Sequence, residues 1–296
     1  MALIPFDDRD GHIWLDGKLV PWRDAKIHVL THGLHYASAV FEGERAYGGH
    51  VFKSRAHSQR LHDSAKILGF TIPYSVEALD RAKAETIAAN KLSDCYVRPI
   101  AWRGSEMMGV SAQQTKINVA IATWQWPAYF SPELREKGIR MCWAKWSRPA
   151  PNTAPTASKA SGLYMICTMS KHAAEDDGYH DALMLDWRGQ IAEATGANVF
   201  LVIDGEIHTP TPDCFLNGIT RRTVIELARQ RQYRVTERAI FPADLAKAQE
   251  VFLTGTAAEV TAVGQIAEHK FTVGPITRSL RDDYAKLVNT PPARAA

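Results

Sequence analysis

The sequence predicts a mixed protein of the α+β or α/β class with two domains. At 296 residues the chain reaches the length, about 250 to 300 residues, at which one hydrophobic core stops growing. Hydrophobic residues make up 46% of the chain and charged residues 23%, which are ordinary values for a globular protein with a sizeable core. Some segments alternate apolar and polar residues, as strands do, and others repeat apolar residues every three or four positions, as helices do.

The first elements are a hairpin and two helices. The strand-like segments HIWL and KLV flank Asp16-Gly17, a dipeptide that tolerates positive φ and therefore predicts a tight turn. Between Arg55 and Gly69, apolar residues recur at four- and three-residue spacing, which predicts a helix that Gly69 ends. A second helix is predicted from Ser75 to Asn90, with Ser75 as its N-cap.

A β-rich segment at 117–124 ends this part of the chain, and the aromatic and proline-rich segment that follows indicates a linker. We therefore predict a small N-terminal domain at 1–126, a linker at 127–135 and a larger domain at 136–296.

Strands and hairpins dominate the second domain. Turns are predicted at Arg188-Gly189 and at Asp204-Gly205, each between two strand-like segments. A helix is predicted from Thr220 to about Arg231, with Thr220 capping its first turn, and a last helix near 277–288.

Charge and cysteine usage exclude several classes of function. Thirty-five Lys and Arg against thirty-two Asp and Glu give a net charge of +3, too dispersed for a nucleic-acid or membrane surface. The four cysteines show no metal-ligand spacing, so we predict no metal site. The first residues lack a signal-peptide pattern, and no stretch reaches the roughly 18 apolar residues of a membrane span. We expect a cytoplasmic protein, and the composition leaves small anionic ligands possible.

Lys159 stands out because the surrounding segment, PNTAPTASKASGLY, contains no other charge. Burial among small and apolar residues lowers the pKa of an amine, as a nucleophile and proton carrier near neutral pH requires. An exposed loop lysine gives the same local pattern, so this segment alone leaves both interpretations open.

Eight blocks in a fixed order resemble the branched-chain aminotransferases of the class IV, or fold-type IV, pyridoxal-phosphate enzymes. The resemblance covers residues 12 to 290, and its blocks are HGLHYASAVFEGERAY, RLHDSAKILGF, YVRP, MMGVS, PNTAPTASKASGLY, IAEATGANVF, LNGITR and EVFLTGTAAEVT. It implies a small N-terminal α/β domain and a larger C-terminal α/β pseudo-barrel. It also implies pyridoxal 5'-phosphate as cofactor and a homodimer or higher homo-oligomer, a hexamer included, whose sites a neighbouring subunit completes.

The resemblance assigns the cofactor residues one by one. Lys159 would hold the cofactor as a Schiff base and then carry the proton between the substrate α-carbon and the cofactor. Tyr164 would contact the phenolic oxygen, and Glu193 would keep the pyridine nitrogen protonated. The remaining expected contacts are Leu216 under the ring and, at the phosphate, Arg60, Ile219, Thr220 and Thr256.

The substrate residues follow from the YVRP block. Strand alternation puts Tyr96 and Arg98 on one face. By resemblance Tyr96 and the N–H groups of Thr256 and Ala257 hold the α-carboxylate. Arg98 meets the second carboxylate of glutamate, with help from Tyr36 and Tyr129. The apolar part of the pocket would be lined by Phe41, Met108, Val110 and Trp126.

The expected activity is reversible ping-pong transfer of the amino group of leucine, isoleucine or valine to 2-oxoglutarate. Within the family, D-amino acid transaminases, (R)-amine transaminases and 4-amino-4-deoxychorismate lyases are the alternatives, and Arg98 argues against the first two. Three segments depart from the family pattern. EATGAN places Ala194 and Ala197 near the expected ring-nitrogen site, and EGER and WQWPAY place Glu44 and altered aromatics at the expected pocket rim.

Overall fold

The computed structural model describes residues 4–125 and 131–290, which form two compact units. The first unit comprises residues 4–125 together with Ser158–Gly162, and the second comprises residues 131–157 and 163–290. The predicted domain boundaries stay a prediction, because residues 126–130 of the expected linker lie outside the described residues. Within the described residues, no helix has the length and apolar character needed to cross a membrane.

The first unit is an antiparallel sheet with helices packed against it. Its strands are β1 His12–Leu15, β2 Lys18–Pro21, β3 Ala39–Phe41, β4 Glu44–Tyr47, β5 His50–Val51, β6 Cys95–Arg103 and β7 Ile117–Gln125. Its helices are α1 His32–Tyr36, α2 Ser54–Ile67 and α3 Val76–Ala89. The strand order is β2-β1-β7-β6-β4-β5, and β3 also pairs with β6.

The predicted elements of this unit are confirmed. Strands β1 and β2 pair across Asp16-Gly17, and both turn residues have positive φ, 47° and 97°. Helix α2 buries Leu61 and ends just before Gly69, whose φ is 72°. Helix α3 begins after Ser75, whose side chain accepts a hydrogen bond from the N–H of Ala78. These short-range signals position α2, which carries several of the candidate site residues.

The second unit contains nine strands and four helices among the described residues. The strands are β8 Ile139–Trp143, β9 Asp181–Leu185, β10 Ile191–Ala194, β11 Asn198–Ile203, β12 Glu206–Pro210, β13 Val235–Arg238, β14 Glu250–Gly255, β15 Glu259–Ile266 and β16 His269–Lys270. The helices are α4 Pro132–Lys137, α5 Met165–Asp176, α6 Ile219–Gln230 and α7 Pro275–Val288.

Pairing closes part of this sheet on itself. The order β10-β9-β8-β15-β14-β11 is completed by a further pairing of β11 with β10, which makes a closed ring of strands. Its interior contains buried side chains such as Met141, Leu183 and Leu253. The ring confirms the barrel-like second domain that the sequence resemblance implies. The predicted turns at Arg188-Gly189 and Asp204-Gly205 are confirmed, with positive φ at Gly189, Asp204 and Gly205.

Two helix starts and one part of the linker differ from prediction. Helix α6 begins at Ile219 with Gly218 as N-cap, so the prediction that Thr220 caps it is wrong. Gly218 takes this position because a Cβ there would lie 2.3 Å from the Asn198 side-chain oxygen, which leaves room only for glycine. Helix α7 begins two residues early, at Pro275, a residue whose fixed φ suits a first helical turn. Helix α4 occupies residues 132–137, so part of the expected linker is helical.

Candidate active site

The segment that carries Lys159 lies against β3 and α2 within the first unit. Val40 and Ala160 form an antiparallel bridge, and the N–H of Phe41 donates to the carbonyl oxygen of Lys159 over 3.2 Å. On the other side, the N–H of Lys159 donates to Ser64 Oγ over 3.0 Å. A loop segment is thus fixed at both sides, which orients the lysine side chain.

Lys159 Nζ lies in an electrostatic environment that favours the neutral amine. It lies 4.8 Å from the centre of the Phe41 ring. Burial lowers the pKa of Lys159 to about 8, and the guanidinium of Arg60 acts in the same direction while the Glu42 carboxylate opposes it. Roughly a tenth of this amine is therefore unprotonated at pH 7, far more than for an ordinary lysine, which favours its action as a nucleophile.

Tyr96 and Arg98 lie on one face of β6, as predicted. Arg98 Nη2 donates to the Tyr96 hydroxyl over 3.1 Å, and the guanidinium lies 4.8 Å from the centre of the Phe41 ring. A Cβ at Gly43 would lie 2.1 Å from the Tyr96 hydroxyl oxygen, so glycine permits this close approach. Arg98 Nε is buried without a hydrogen-bond partner among the described residues. A buried, unsatisfied cationic donor is the feature that a carboxylate ligand would satisfy.

Arg60 is anchored by a residue that the sequence analysis did not identify. Glu42, whose side chain is wholly buried, accepts hydrogen bonds from Arg60 Nε and Nη2, each over 2.7 Å. The Nδ1–H of His57 donates to the same carboxylate over 2.7 Å. Burial alone would raise the pKa of Glu42, but Arg60 and His57 outweigh it and hold the pKa far below its ordinary value. Glu42 lies two residues before Glu44, one of the departures from the family pattern. No local sequence pattern identified Glu42 as a site residue.

Tyr36 and the loop that carries Met108 and Val110 belong to one surface of the first unit. His32, on the same helix as Tyr36, joins them, because its Nε2 contacts the Gly109 carbonyl oxygen over 2.8 Å and its ring stacks on Tyr36. The side chains of Tyr36, Met108 and Val110 are exposed in the single chain. Trp126 and Tyr129, the other two aromatic residues expected here, lie outside the described residues.

In the second unit, Glu193 on β10 lies beside a buried cation. Arg148 Nε approaches Glu193 Oε1 to 3.4 Å, and the Asn198 amide donates to Oε2 over 3.3 Å. Burial alone would lower the pKa of Arg148, but the Glu193 carboxylate outweighs it, helped by Cys167 and Tyr164, and the pKa is raised. Arg148 is a second residue that the sequence analysis did not identify.

Tyr164 ends a 3₁₀ turn at Ser161–Tyr164 and is the N-cap position of α5. It is one of the groups that raise the pKa of Arg148. Glu193 and Arg148 form a polar cluster in this unit.

Two backbone features of the second unit fit an anion. Gly218 caps α6 without a side-chain hydrogen bond, so the first N–H groups of this helix, at Ile219 and Thr220, point along its positive dipole end. Thr256 and Ala257 lie in the turn between β14 and β15 and offer further N–H groups. The carbonyl oxygen of Leu216 accepts from the Asn198 amide over 3.1 Å, which ties the α6 loop to the Glu193 cluster.

The family departures have structural explanations. Glu44 is fully buried and pairs with Lys83 over 2.8 Å, so the expectation that it alters a pocket rim is wrong. Ala194 and Ala197 pack in the hydrophobic core of the closed ring of strands. The WQWPAY segment lies largely outside the described residues.

One cluster has the atom spacing of a metal site. Asp186, Asp213 and Cys214 place ligand atoms within 4.8 Å of one another. Arg188 Nη2 already contacts both carboxylates, at 2.7 and 2.8 Å, so an arginine side chain takes the place next to the carboxylates that a metal ion would need.

Residues 39–266 match the family described as amino-transferase class IV, and the chain belongs to this family.

The chain is 41% identical to the branched-chain-amino-acid aminotransferase of Pseudomonas aeruginosa over 289 residues, covering 95% of this chain and 94% of that protein. Among solved structures, it resembles the branched-chain aminotransferase of Thermoproteus uzoniensis with norvaline, with a TM-score of 0.91, 36% identity and 95% of each chain covered. It also resembles the branched-chain amino acid aminotransferase of Thermobaculum terrenum in its PLP-form, with a TM-score of 0.86 and 29% identity, covering 95% of this chain and 94% of that chain.

Proposed function

We propose that this chain is a pyridoxal-phosphate-dependent branched-chain amino acid aminotransferase. It transfers the amino group of leucine, isoleucine or valine reversibly to 2-oxoglutarate, in two half-reactions. The observation that carries the proposal is the arrangement around Phe41: the amine of Lys159, with a pKa of about 8, and the guanidinium of Arg98 both lie 4.8 Å from this ring. A nucleophilic amine and a carboxylate-binding cation on one apolar ring suit an amino acid substrate.

The residues fit pyridoxal 5'-phosphate. An aldehyde requires an amine that is partly neutral, which Lys159 supplies. A pyridine nitrogen requires a carboxylate that stays ionised, and the buried cation Arg148 beside Glu193 favours that ionised form. A phosphate requires N–H donors and a cation, which the start of α6, Thr256 and Arg60 offer. When bound, the cofactor supplies an electron-withdrawing ring that makes the substrate α-proton acidic.

The chain's own residues then have separate tasks. Lys159 would hold the cofactor covalently through its aldehyde, and as a free amine it would remove and return the substrate α-proton. Glu193 holds a proton on the pyridine nitrogen, and Tyr164 donates to the neighbouring phenolic oxygen. Leu216 gives the ring an apolar floor.

The substrate-binding residues must recognise two kinds of side chain. Tyr96, with the N–H groups of Thr256 and Ala257, binds the α-carboxylate that all substrates share. Arg98, supported by Tyr36 and Tyr129, binds the second carboxylate of glutamate. The branched aliphatic side chains contact apolar surface from Phe41, Met108, Val110 and Trp126.

A homo-oligomer, dimer or higher, is part of this proposal. The surface around Tyr36, Met108 and Val110 also exposes Ile27, Val29, Leu30 and Leu34, and Val110 is 88% exposed. An apolar surface of this kind is normally covered, and Met108 and Val110 line a pocket only when a second copy covers them. Analytical ultracentrifugation should give a species of at least two chains, and a monomer would contradict this part of the proposal. A cytoplasmic location stays a prediction.

Substrate consumption and covalent trapping test the function. Purified protein should consume leucine only when 2-oxoglutarate is present, with one glutamate formed per leucine lost. Release of pyruvate from 4-amino-4-deoxychorismate would instead indicate the lyase, and turnover of D-amino acids or (R)-amines the other class IV transaminases. Borohydride reduction of the cofactor-loaded protein, followed by peptide mapping, should place the reduced adduct on Lys159. An adduct elsewhere, or none, rejects the proposed function.

A further inference from the structure

Glu42 is a buried carboxylate that lies in the turn between β3 and β4. Its backbone N–H donates to the carbonyl oxygen of Pro99 over 2.8 Å, which fixes the turn to β6. Its side chain has no exposure, and both of its oxygen atoms lie 2.7 Å from donors on α2. A carboxylate removed from water in this way is retained only where strong donors compensate for the lost hydration.

The contact with Arg60 has the geometry that orients a guanidinium. Nε and Nη2 donate to the two carboxylate oxygens in parallel, so the plane of the guanidinium is fixed relative to the backbone of β3 and β4. An arginine side chain without such an anchor samples many rotamers. His57, one turn earlier on α2, donates to the same carboxylate and holds it from a second side.

The anchored pair lies next to the lysine segment. Helix α2 carries both Arg60 and Ser64, and Ser64 Oγ accepts the N–H of Lys159 over 3.0 Å. Arg60 and Glu42 both act electrostatically on the Lys159 amine, with opposite signs. The same helix therefore fixes the position of the lysine segment and of the phosphate-binding cation.

We propose that Glu42 is a positioning residue that holds the Arg60 guanidinium in the orientation needed to bind the phosphate of the cofactor. The inference rests on the proposed function, because it takes Arg60 as a phosphate ligand. Glu42 touches neither substrate nor cofactor, and its effect passes through Arg60.

Two physical effects of Glu42 on phosphate binding have opposite signs. Its negative charge repels a phosphate, so a purely electrostatic role means that Glu42→Gln strengthens phosphate binding. Its anchoring of Arg60 favours phosphate binding, so a positioning role means that the same substitution weakens it. The sign of the change in phosphate affinity therefore distinguishes an electrostatic role of Glu42 from a positioning role.

The experiment compares pyridoxal 5'-phosphate with pyridoxal, which lacks the phosphate. Cofactor-free wild-type protein and variants are titrated with each compound, and the ratio of the two affinities isolates the contribution of the phosphate. In Glu42→Gln the ratio should fall about tenfold, the equivalent of one charge-assisted hydrogen bond, while pyridoxal affinity stays within about twofold. An unchanged or increased ratio in a folded Glu42→Gln protein overturns the inference.

Two further variants complete the design. In an Arg60→Met background, which lacks the guanidinium, adding Glu42→Gln should leave the ratio unchanged, and a further fall would show a role independent of Arg60 and overturn the inference. Asp63→Asn removes the charge of an exposed carboxylate on α2, one that accepts from Gln59 instead of Arg60, and should leave the ratio at the wild-type value. An equal fall in Asp63→Asn would show a general effect of lost charge on α2 and also overturn it.

If Glu42→Gln does not fold, Glu42→Asp provides the test, because it keeps the charge but withdraws the carboxylate by one methylene. The ratio should again fall, and a wild-type ratio rejects the inference. The proposed function is judged separately on the wild-type protein: failure to trap the cofactor at Lys159 rejects the function. Trapping at Lys159 with no change of ratio in the Glu42 variants rejects only the positioning role.

Discussion

Arg98 Nη2 donates to the Tyr96 hydroxyl over 3.1 Å, and this single hydrogen bond joins the residues proposed to bind the two carboxylates of glutamate. The buried Arg98 Nε has no hydrogen-bond partner among the described residues, which leaves it available to an anionic ligand. In the proposed function, this pair distinguishes glutamate from leucine by the second carboxylate of glutamate.

Substitution of Arg98 should therefore discriminate between the two donors. In Arg98→Met, kcat/KM for glutamate should fall about a hundredfold, the loss of two charge-assisted hydrogen bonds, and kcat/KM for leucine less than about fivefold. Tyr96→Phe is the matched comparison, because it removes a hydroxyl that is proposed to meet the α-carboxylate shared by both donors. It should reduce kcat/KM for both, and the preference between donors should change much less than in Arg98→Met, since the hydroxyl also accepts from Arg98. Equal losses for both donors in Arg98→Met would show that Arg98 is structural or binds the α-carboxylate.

The reactivity of Lys159 should follow its lowered pKa. Labelling of the cofactor-free protein with a small acylating reagent, measured by peptide mass spectrometry, should rise with pH at Lys159 and reach half of its maximum near pH 8. Lys116 is an internal control, because its hydrogen bond to Asp16 raises its pKa and its labelling should still increase above pH 10. Parallel labelling profiles for the two lysines would contradict a lowered pKa of Lys159.

The proposed role of Lys159 also predicts that Lys159→Ala has no measurable turnover.

The proposed role of Glu193 predicts a slow proton-transfer step. Glu193→Gln keeps the size of the side chain but removes the charge that stabilises a protonated pyridine nitrogen. The single-turnover rate with leucine, followed by stopped-flow absorbance, should fall at least about tenfold, the equivalent of one lost charge-assisted hydrogen bond. Glu175→Gln, which alters an exposed carboxylate on α5, should leave that rate unchanged. A wild-type rate in Glu193→Gln would reject the pairing.

Short-range signals in the sequence predicted most of the fold. Asp16-Gly17 and Asp204-Gly205 each form a tight turn because positive φ is a property of the residues themselves. The closure of β10 onto β11 involves partners set by distant segments, so only the family resemblance indicated a barrel. The start of α6 was misplaced by one residue because Gly218 is selected by its contact with Asn198, 20 residues earlier in the chain.

In the candidate site, too, the residues that the sequence did not reveal are those that depend on partners distant in the chain. The family resemblance identified Lys159, Tyr96 and Arg98. The uncharged neighbourhood of Lys159 alone left two interpretations open, and strand alternation only placed Tyr96 and Arg98 on one face. Glu42 and Arg148 were missed, since a buried carboxylate and a buried guanidinium have the same one-letter code as surface charges. Only their partners, Arg60 on α2 and Glu193 on β10, reveal what they do.

Glu44 and Lys83 provide the last prediction, which concerns stability. Neither side chain has any exposure, and Lys83 Nζ lies 2.8 Å from both Glu44 Oε2 and Ser58 Oγ. Breaking one side of a buried pair leaves an uncompensated charge, so Glu44→Gln should lower the free energy of unfolding by about 3 kcal/mol in urea denaturation. The double variant Glu44→Met/Lys83→Met removes both charges and fills the volume with apolar atoms. It should recover most of that loss, because an apolar replacement avoids the desolvation of two ions. A double variant as unstable as Glu44→Gln would mean that the hydrogen bonds of Lys83 to Ser54 and Ser58, which join α2 to α3, contribute more than the ion pair itself.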